Sequence, residues 1–289
     1  MKASSDHYEI FLKVAETGSI TTAADMLGYT QGGVSHAIAS LEQELSVTLF
    51  TRKKNGAVLT HEGEKLLPVI RDLVSRHHHL MQTANSLNTK ISGRLRIGTF
   101  TSINCVWMPR IIRLFNAKYP DVLLEIHDGA YSEISRMIHE GSVDCGFLTA
   151  PAPDSLRFYP IYRDPLYAVL PPGHPYAARD SVTFEEIATQ PVILQRRVND
   201  NEVIPLFRKN RITPKIRMTL RDNISVLSFI ASGYGVGIMP ELMLKAAGSG
   251  LDRRPFDPPL YREIGLAMLP SRKDWPIIRA FLQFLEVQA

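Results

Sequence analysis

Two sets of polar residues in this chain could do chemistry. Thr99, Phe100, Thr101 and Ser102 close an apolar run, with Asn104 just beyond. Thr149 closes a second run, Gln195 and Arg196 a third with Asn199 after them, and Asn223 follows a fourth. Hydroxyls, amides and a guanidinium at strand ends, beside helix N-termini, suit the holding of a small polar or anionic molecule. The second set is Thr30, Gln31, Gly32, Gly33, Ser35 and His36, with Arg52, Lys53 and Lys54 downstream. A glutamine amide can pair with adenine through two hydrogen bonds. Clustered cations suit the phosphate backbone. Each residue alone has a plainer role, as a helix cap or a solvated loop or surface side chain. The weight lies in the sets. The chain shows no nucleophile elbow, phosphate loop or metal-spaced His/Cys/Glu group, so an enzyme is not expected, nor a cofactor or metal.

The elements that position the second set are legible from periodicity. His7–Glu16 reads as an amphipathic helix, stopped at Gly18. Ser19–Leu27 reads as a second helix, Gly28-Tyr29-Thr30 as a tight break, and Gln31–Leu45 as a third helix. Val34, Ile38, Leu41 and Leu45 share one face of that helix, and Thr30 is its expected N-cap. This is a helix-turn-helix order, which would lay the third helix in a major groove with its N-terminal residues at base edges. Asn55-Gly56 between short β-prone runs is read as a hairpin turn, tipped by Arg52, Lys53 and Lys54. The net charge of the chain is +4. Its first 62 residues carry five Lys/Arg against seven Asp/Glu. The DNA reading therefore rests on where the charges lie.

Phe11, Ala15, Gly18-Ser19, Ala23-Ala24, Leu27, Gln31, Val34-Ser35, Ile38, Leu41-Glu42, Leu45, Leu49-Phe50, Arg52, Leu59-Thr60 and Gly63 make an ordered, dense pattern. It resembles the winged helix-turn-helix of the LysR-type transcriptional regulators. Gly32-Gly33 departs from that pattern, where a proline or a small non-glycine residue is more usual. The resemblance implies a tetramer built as a dimer of dimers, roughly palindromic operator DNA, and a periplasmic-binding-protein-like effector domain. It also points to Thr99, Thr101, Ser102 and Thr149 as effector contacts.

Glu64 to about Asn88 reads as one long helix, with Pro68 tolerated near its start. Its apolar face is too long for a lone exposed helix, so a dimerisation role is expected. His77-His78-His79 points to different helix faces and is read as a solvated run. From Gly93 strands and helices alternate, which predicts βαβ units and a mostly parallel sheet. A block from about Asp164 to Ile264 forms a second lobe, and Ile264–Leu269 with Trp275–Val287 returns to the first. The glycines at 233, 235 and 237 follow a helix and precede a strand, the reverse of a dinucleotide loop, and fit tight packing.

The expected architecture is a multidomain α/β protein: an N-terminal winged helix-turn-helix over 1–62, a linker helix over 63–90, and a two-lobed α/β effector domain over 91–289. Lobe I takes 91–163 with 265–289, and lobe II takes 164–264. The cleft between the lobes is the default pocket. Expected partners are double-stranded operator DNA, a small polar or anionic metabolite, further copies of the chain, and RNA polymerase. At 45% hydrophobic and 21% charged residues the composition is that of a globular protein. No apolar run is long enough to span a membrane, the start lacks the look of a signal peptide, and the cytoplasm is the expected location. Two cysteines, Cys105 and Cys145, form no CxxC pair. Cys145 is read as a buried strand thiol, a poor resolving partner for Cys105. A pure solute-binding protein would have no use for the first sixty residues.

Overall fold

The computed structural model describes residues 5–53, 56–87, 91–195, 203–248 and 250–288. They group into two compact units. One takes in the described residues through Gly93 with His139–Ser142, and the other takes Arg94–Ile138 and Val143 onward.

In the first unit, helices α1 (Ser5–Thr17), α2 (Ile20–Leu27) and α3 (Gln31–Leu45) precede strands β1 (Phe50–Lys53) and β2 (Gly56–Leu59) and the long helix α4 (His61–Leu87). Phe11, Val14, Ala23, Val34, Ile38 and Leu41 form its core. The small Ala23 and Ala24 are buried, so α2 sits close against its neighbours. Gly28 ends α2 in the left-handed conformation, with φ 72°, where a side chain would be strained. Thr30 caps α3, its hydroxyl accepting from the Gly33 amide at 3.1 Å.

The hairpin differs from the sequence expectation by one register. Phe50 pairs with Leu59 and Lys53 with Gly56, so Gly56 belongs to β2 rather than to the turn. Lys54 and Asn55 lie outside the described residues. A tertiary contact explains the glycine. A Cβ at Gly56 would stand 2.3 Å from the Gly18 carbonyl oxygen, and the Ala57 amide donates to that same oxygen at 2.8 Å. Pro68 also sits deeper in its helix than expected. Thr60 caps α4, accepting from the Gly63 amide at 2.9 Å, so the helix starts at His61 and Pro68 falls inside it. His78 is not simply solvated: its Nε2 is 2.8 Å from Glu9 Oε1 on α1.

In the second unit, the order continues with β3 (Gly93–Thr99), α5 (Thr101–Val106), α6 (Met108–Lys118), β4 (Val122–Asp128), α7 (Tyr131–His139), β5 (Cys145–Thr149) and β6 (Arg157–Leu170). Then come α8 (Phe184–Thr189), β7 (Val192–Gln195), α9 (Val203–Lys209), β8 (Ile216–Leu220), α10 (Asn223–Ala231), β9 (Gly237–Pro240) and α11 (Glu241–Ala247). Strands β10 (Asp252–Pro255) and β11 (Tyr261–Met268) and helix α12 (Pro276–Gln288) finish it. One lobe carries β6-β11-β5-β3-β4 in that order. The other carries β10, the second half of β6 and β9, with β7 and β8 joined to them by a Val192–Val236 bridge.

The expected mostly parallel sheet is a mixed one. β3 runs parallel to β5 and β7 to β8. β11 runs antiparallel to both β5 and β6, and β6 antiparallel to β9 and β10. The reason is the crossing: β6, 14 residues long where the sequence suggested a strand over Tyr167–Leu170 alone, and β11 carry the chain between lobes in opposite directions. α5, α11 and β10 were not anticipated. Each is short, and periodicity needs length to show. Lobe I packs Phe115 edge-on to Phe281 and Phe284. Lobe II packs Phe184 face-on to Phe207. Packing also explains the later glycines, because a Cβ at Gly235 would stand 2.2 Å from the Pro191 carbonyl oxygen.

Candidate functional site

The first candidate surface is the start of α3. Thr30, Gln31, Gly32, Gly33 and His36 are exposed and Ser35 is half-buried, while Val34 points into the core. Helical geometry thus sends the apolar residues inward and leaves the polar ones outward within one turn. Glu42, further along α3, holds the start of the hairpin. Its Oε1 accepts from the Leu49 amide at 2.6 Å and the Phe50 amide at 3.2 Å. Arg52 and Lys53 are carried on β1, and the Lys54 position lies outside the described residues.

The second candidate is the cleft between the two lobes. Two cavities share a wall made by Tyr131 and Arg262. The smaller, about 50 Å³, is lined by Phe100, Thr101, Ser102, Gln195 and Asn223. The larger, about 730 Å³, is lined by Thr149, Ser132, Ser135 and Lys209 among others. Of the residues expected from sequence, those six therefore line the cleft. Thr99 does not. It is fully buried, and its hydroxyl donates to Asn104 Oδ1, whose amide donates in turn to Asp128 at 2.7 Å. Arg196 and Asn199 lie outside the described residues.

Arg262 is the hub of the cleft. Its guanidinium donates to Asp164 at 2.8 Å, to Ser102 Oγ at 2.9 Å and to the Tyr131 hydroxyl at 2.9 Å, and it lies over the Phe100 ring at 5.3 Å. Asp164 is wholly buried and also accepts from the Leu242 amide at 3.1 Å. Burial pushes the Asp164 carboxyl above its usual range, outweighing the opposing pull of Arg262. Nearby helix N-termini are already served by carboxylates: Asp222 caps α10 through the Ser225 amide at 2.8 Å, and Glu133 accepts from the Ala130 amide at 2.7 Å. The described lining therefore presents hydroxyls, amides and a neutralised arginine, with the exposed Lys209 and Glu263 on the wall of the larger cavity.

Family models match both parts of the chain. Residues 5–64 match the profile described as the bacterial regulatory helix-turn-helix protein, lysR family. Residues 88–289 match the LysR substrate binding domain. The chain belongs to the LysR family of transcription regulators. An uncharacterized HTH-type transcriptional regulator of Bacillus subtilis, YvbU, is 32% identical over 92% of this chain and 91% of its own length. A probable regulator of Synechococcus elongatus, LrrA, is 30% identical over 97% and 96%. In fold, a full-length OxyR variant from Pseudomonas aeruginosa superposes with TM-score 0.78 at 19% identity, over 99% of this chain and 94% of that one. CbnR in complex with its target DNA gives 0.67 at 19% identity, over 99% and 100%.

This LysR-type protein is thus a DNA-binding transcription regulator with a substrate-binding domain, and not an enzyme. No helix among its described residues is long and apolar enough to cross a membrane. Sequence reasoning missed Tyr131 and Arg262, the two residues that both cavities share. Arg262 sits in a strand whose other described neighbours, from Ile264 on, are apolar and buried. A lone arginine opening such a strand was the available signal. Cys145 is buried and its thiol is pushed well up by that burial, whereas Cys105 is exposed.

Proposed function

We propose that this regulator reads operator DNA with Gln31, Gly32, Gly33, Ser35 and His36, oriented by the Thr30 cap, while Arg52, Lys53 and Lys54 meet the phosphate backbone. A small polar or anionic metabolite binds the interlobe cleft against Phe100, Thr101, Ser102, Thr149, Gln195 and Asn223. Arg196 and Asn199, outside the described residues, also contact the metabolite, and Thr99 acts from behind by orienting Asn104. The functional division is 1–62 for DNA, 63–90 for the linker helix and 91–289 for the effector. The observation that carries the effector reading is Arg262, which ties Ser102 and Tyr131 together in the wall common to both cavities. A ligand that engages Ser102 or Tyr131 must alter this junction, and Arg262 lies on one of the strands that cross between the lobes.

The regulator assembles as a dimer, or a dimer of dimers, in the cytoplasm, and it acts on transcription with RNA polymerase. Helix α4 supports the dimer. Ile70 and Val74 are buried in the first unit's core, yet Val69, Leu73, Leu80 and Met81 remain exposed on another face.

The test is a gel shift and footprint at fixed salt on the DNA upstream of its gene, repeated with a panel of small carboxylates, amino acids and sugars. A roughly palindromic protected site is expected, changed by one compound. Thr101→Val combined with Ser102→Ala should remove that change and leave the footprint itself. A footprint that responds to the compound as before would take these residues out of the pocket.

A further inference from the structure

The wall of the interlobe cleft carries charge as well as polarity. Among the described residues that line its two cavities, three side chains are charged: Arg262, Lys209 and Glu263. Arg262 is already engaged. Its guanidinium pairs with Asp164 at 2.7 Å and donates to Ser102 and Tyr131, so it adds no net charge. Lys209, at the end of α9, and Glu263, on β11, are both exposed and both line the larger cavity. Neither forms an ion pair among the described residues, with the other or with any third group. The cation placed to neutralise Glu263 is Arg163, its partner in register on β6. Arg163 lies over the Tyr261 ring instead, at 4.5 Å. One cavity of about 730 Å³ thus carries a cation and an anion that do not satisfy each other.

Taking the cleft as the effector site, on which this rests, we infer that the effector is a zwitterionic amino acid, held by its ammonium at Glu263 and by its carboxylate at Lys209. In the open cleft water serves both charges. A ligand that fills the cavity displaces this water and must offer opposite charge in its place. A plain carboxylate would answer Lys209 but face Glu263 as a like charge, and an amine would do the reverse. A neutral sugar would answer neither. An amino acid answers both, each through a charge-assisted hydrogen bond. The hydroxyls of Ser132, Ser135 and Thr149 line the same cavity and can accept the remaining ammonium protons. The volume admits the side chain of any standard amino acid, so the charged ends define the class. Lys209 stands on a helix of lobe II and Glu263 on a strand that crosses between the lobes. A ligand bound at both ends therefore ties α9 to the crossing, whereas a singly charged analogue holds one side alone.

The experiment is calorimetric titration of the full-length protein, without DNA, with each standard L-amino acid and with the N-acetyl and carboxamide derivatives of those that bind. Saturable one-to-one binding of at least one amino acid is expected. Its N-acetyl derivative, which lacks the ammonium, and its carboxamide, which lacks the carboxylate, should each bind about tenfold more weakly or worse. Glu263→Gln should weaken the amino acid to a similar degree and leave the N-acetyl derivative unchanged. Lys209→Gln should weaken it likewise and leave the carboxamide unchanged. Both positions are exposed, and thermal unfolding of each variant is checked against the parent. No saturable binding of any amino acid up to about 10 mM would overturn the inference. So would binding that the N-acetyl derivative matches, or that neither variant alters. The footprint tells this failure from that of the cleft reading. Where no amino acid binds but a sugar or a plain carboxylate changes the footprint through Thr101 and Ser102, the zwitterion alone falls; where no compound binds or changes it, both fall.

Discussion

Replacing Arg262 by methionine removes one side chain from three partners and exposes the reason it is there. Asp164 is fully buried, and without Arg262 it keeps the hydrogen bond from the Leu242 amide. Breaking a buried ion pair from one side leaves an uncompensated charge and costs about 3–5 kcal/mol. For a unit of this size that corresponds to a fall in unfolding temperature of roughly 10 °C. The pH dependence gives the sharper test. Burial already raises the Asp164 carboxyl, and losing the guanidinium that opposes this raises it further. A carboxyl raised above its unfolded value favours the folded state when protonated. Its contribution is fully present below the unfolded range and is lost as pH rises through the folded value. The deficit of Arg262→Met should therefore shrink as pH is lowered towards the carboxylate range. Arg262→Met combined with Asp164→Asn should recover part of the loss at neutral pH. Thermal unfolding of the full-length variants at several pH values measures both effects. A deficit that grows on acidification, or a double variant no better than the single one, would refute the account of Arg262 as counter-charge.

The DNA-binding unit offers three further tests. Gly32→Ala meets open space in a helix and should stabilise by about 1 kcal/mol. Gly56→Ala would drive a Cβ into the Gly18 carbonyl at φ +141° and should cost about 1–3 kcal/mol; unfolding temperatures of opposite sign confirm the pair, and equal ones refute it. Arg52→Ala should weaken binding to all DNA sequences alike and lower the salt slope by about one, and a loss confined to one base pair would contradict a phosphate role. Leu73→Glu with Leu80→Glu places charge on the exposed face of α4 and should shift sedimentation towards the monomer, whereas an unchanged oligomer would remove that face from the interface.

Much of the winged helix-turn-helix was legible in sequence because its signals are local. Ser19 and Thr30 cap their helices through their own side chains, and Gly28 takes the left-handed turn its type suits. Val34, Ile38 and Leu41 reach the core at helical spacing, so the exposed Gln31 and His36 follow from the same periodicity. The strand ends of the effector domain were legible for a similar reason: apolar runs stop where polar residues begin, which placed Thr101, Ser102, Gln195 and Asn223 at the cleft.

What the tertiary structure alone decided depends on residues far apart in the chain. Gly56 is a glycine because Gly18 approaches it, and no turn rule contains that contact. Thr99 faces Asn104 rather than a ligand because the wall behind α5 closes over it. The length and direction of β6, and hence the mixed sheet, come from two strands that must run between lobes, and local propensity does not encode that. Arg262 is the clearest case. Its partners Ser102, Tyr131 and Asp164 lie 160, 131 and 98 residues away. Only the folding of both lobes brings them within hydrogen-bond reach and makes a buried charge tolerable where the two cavities meet.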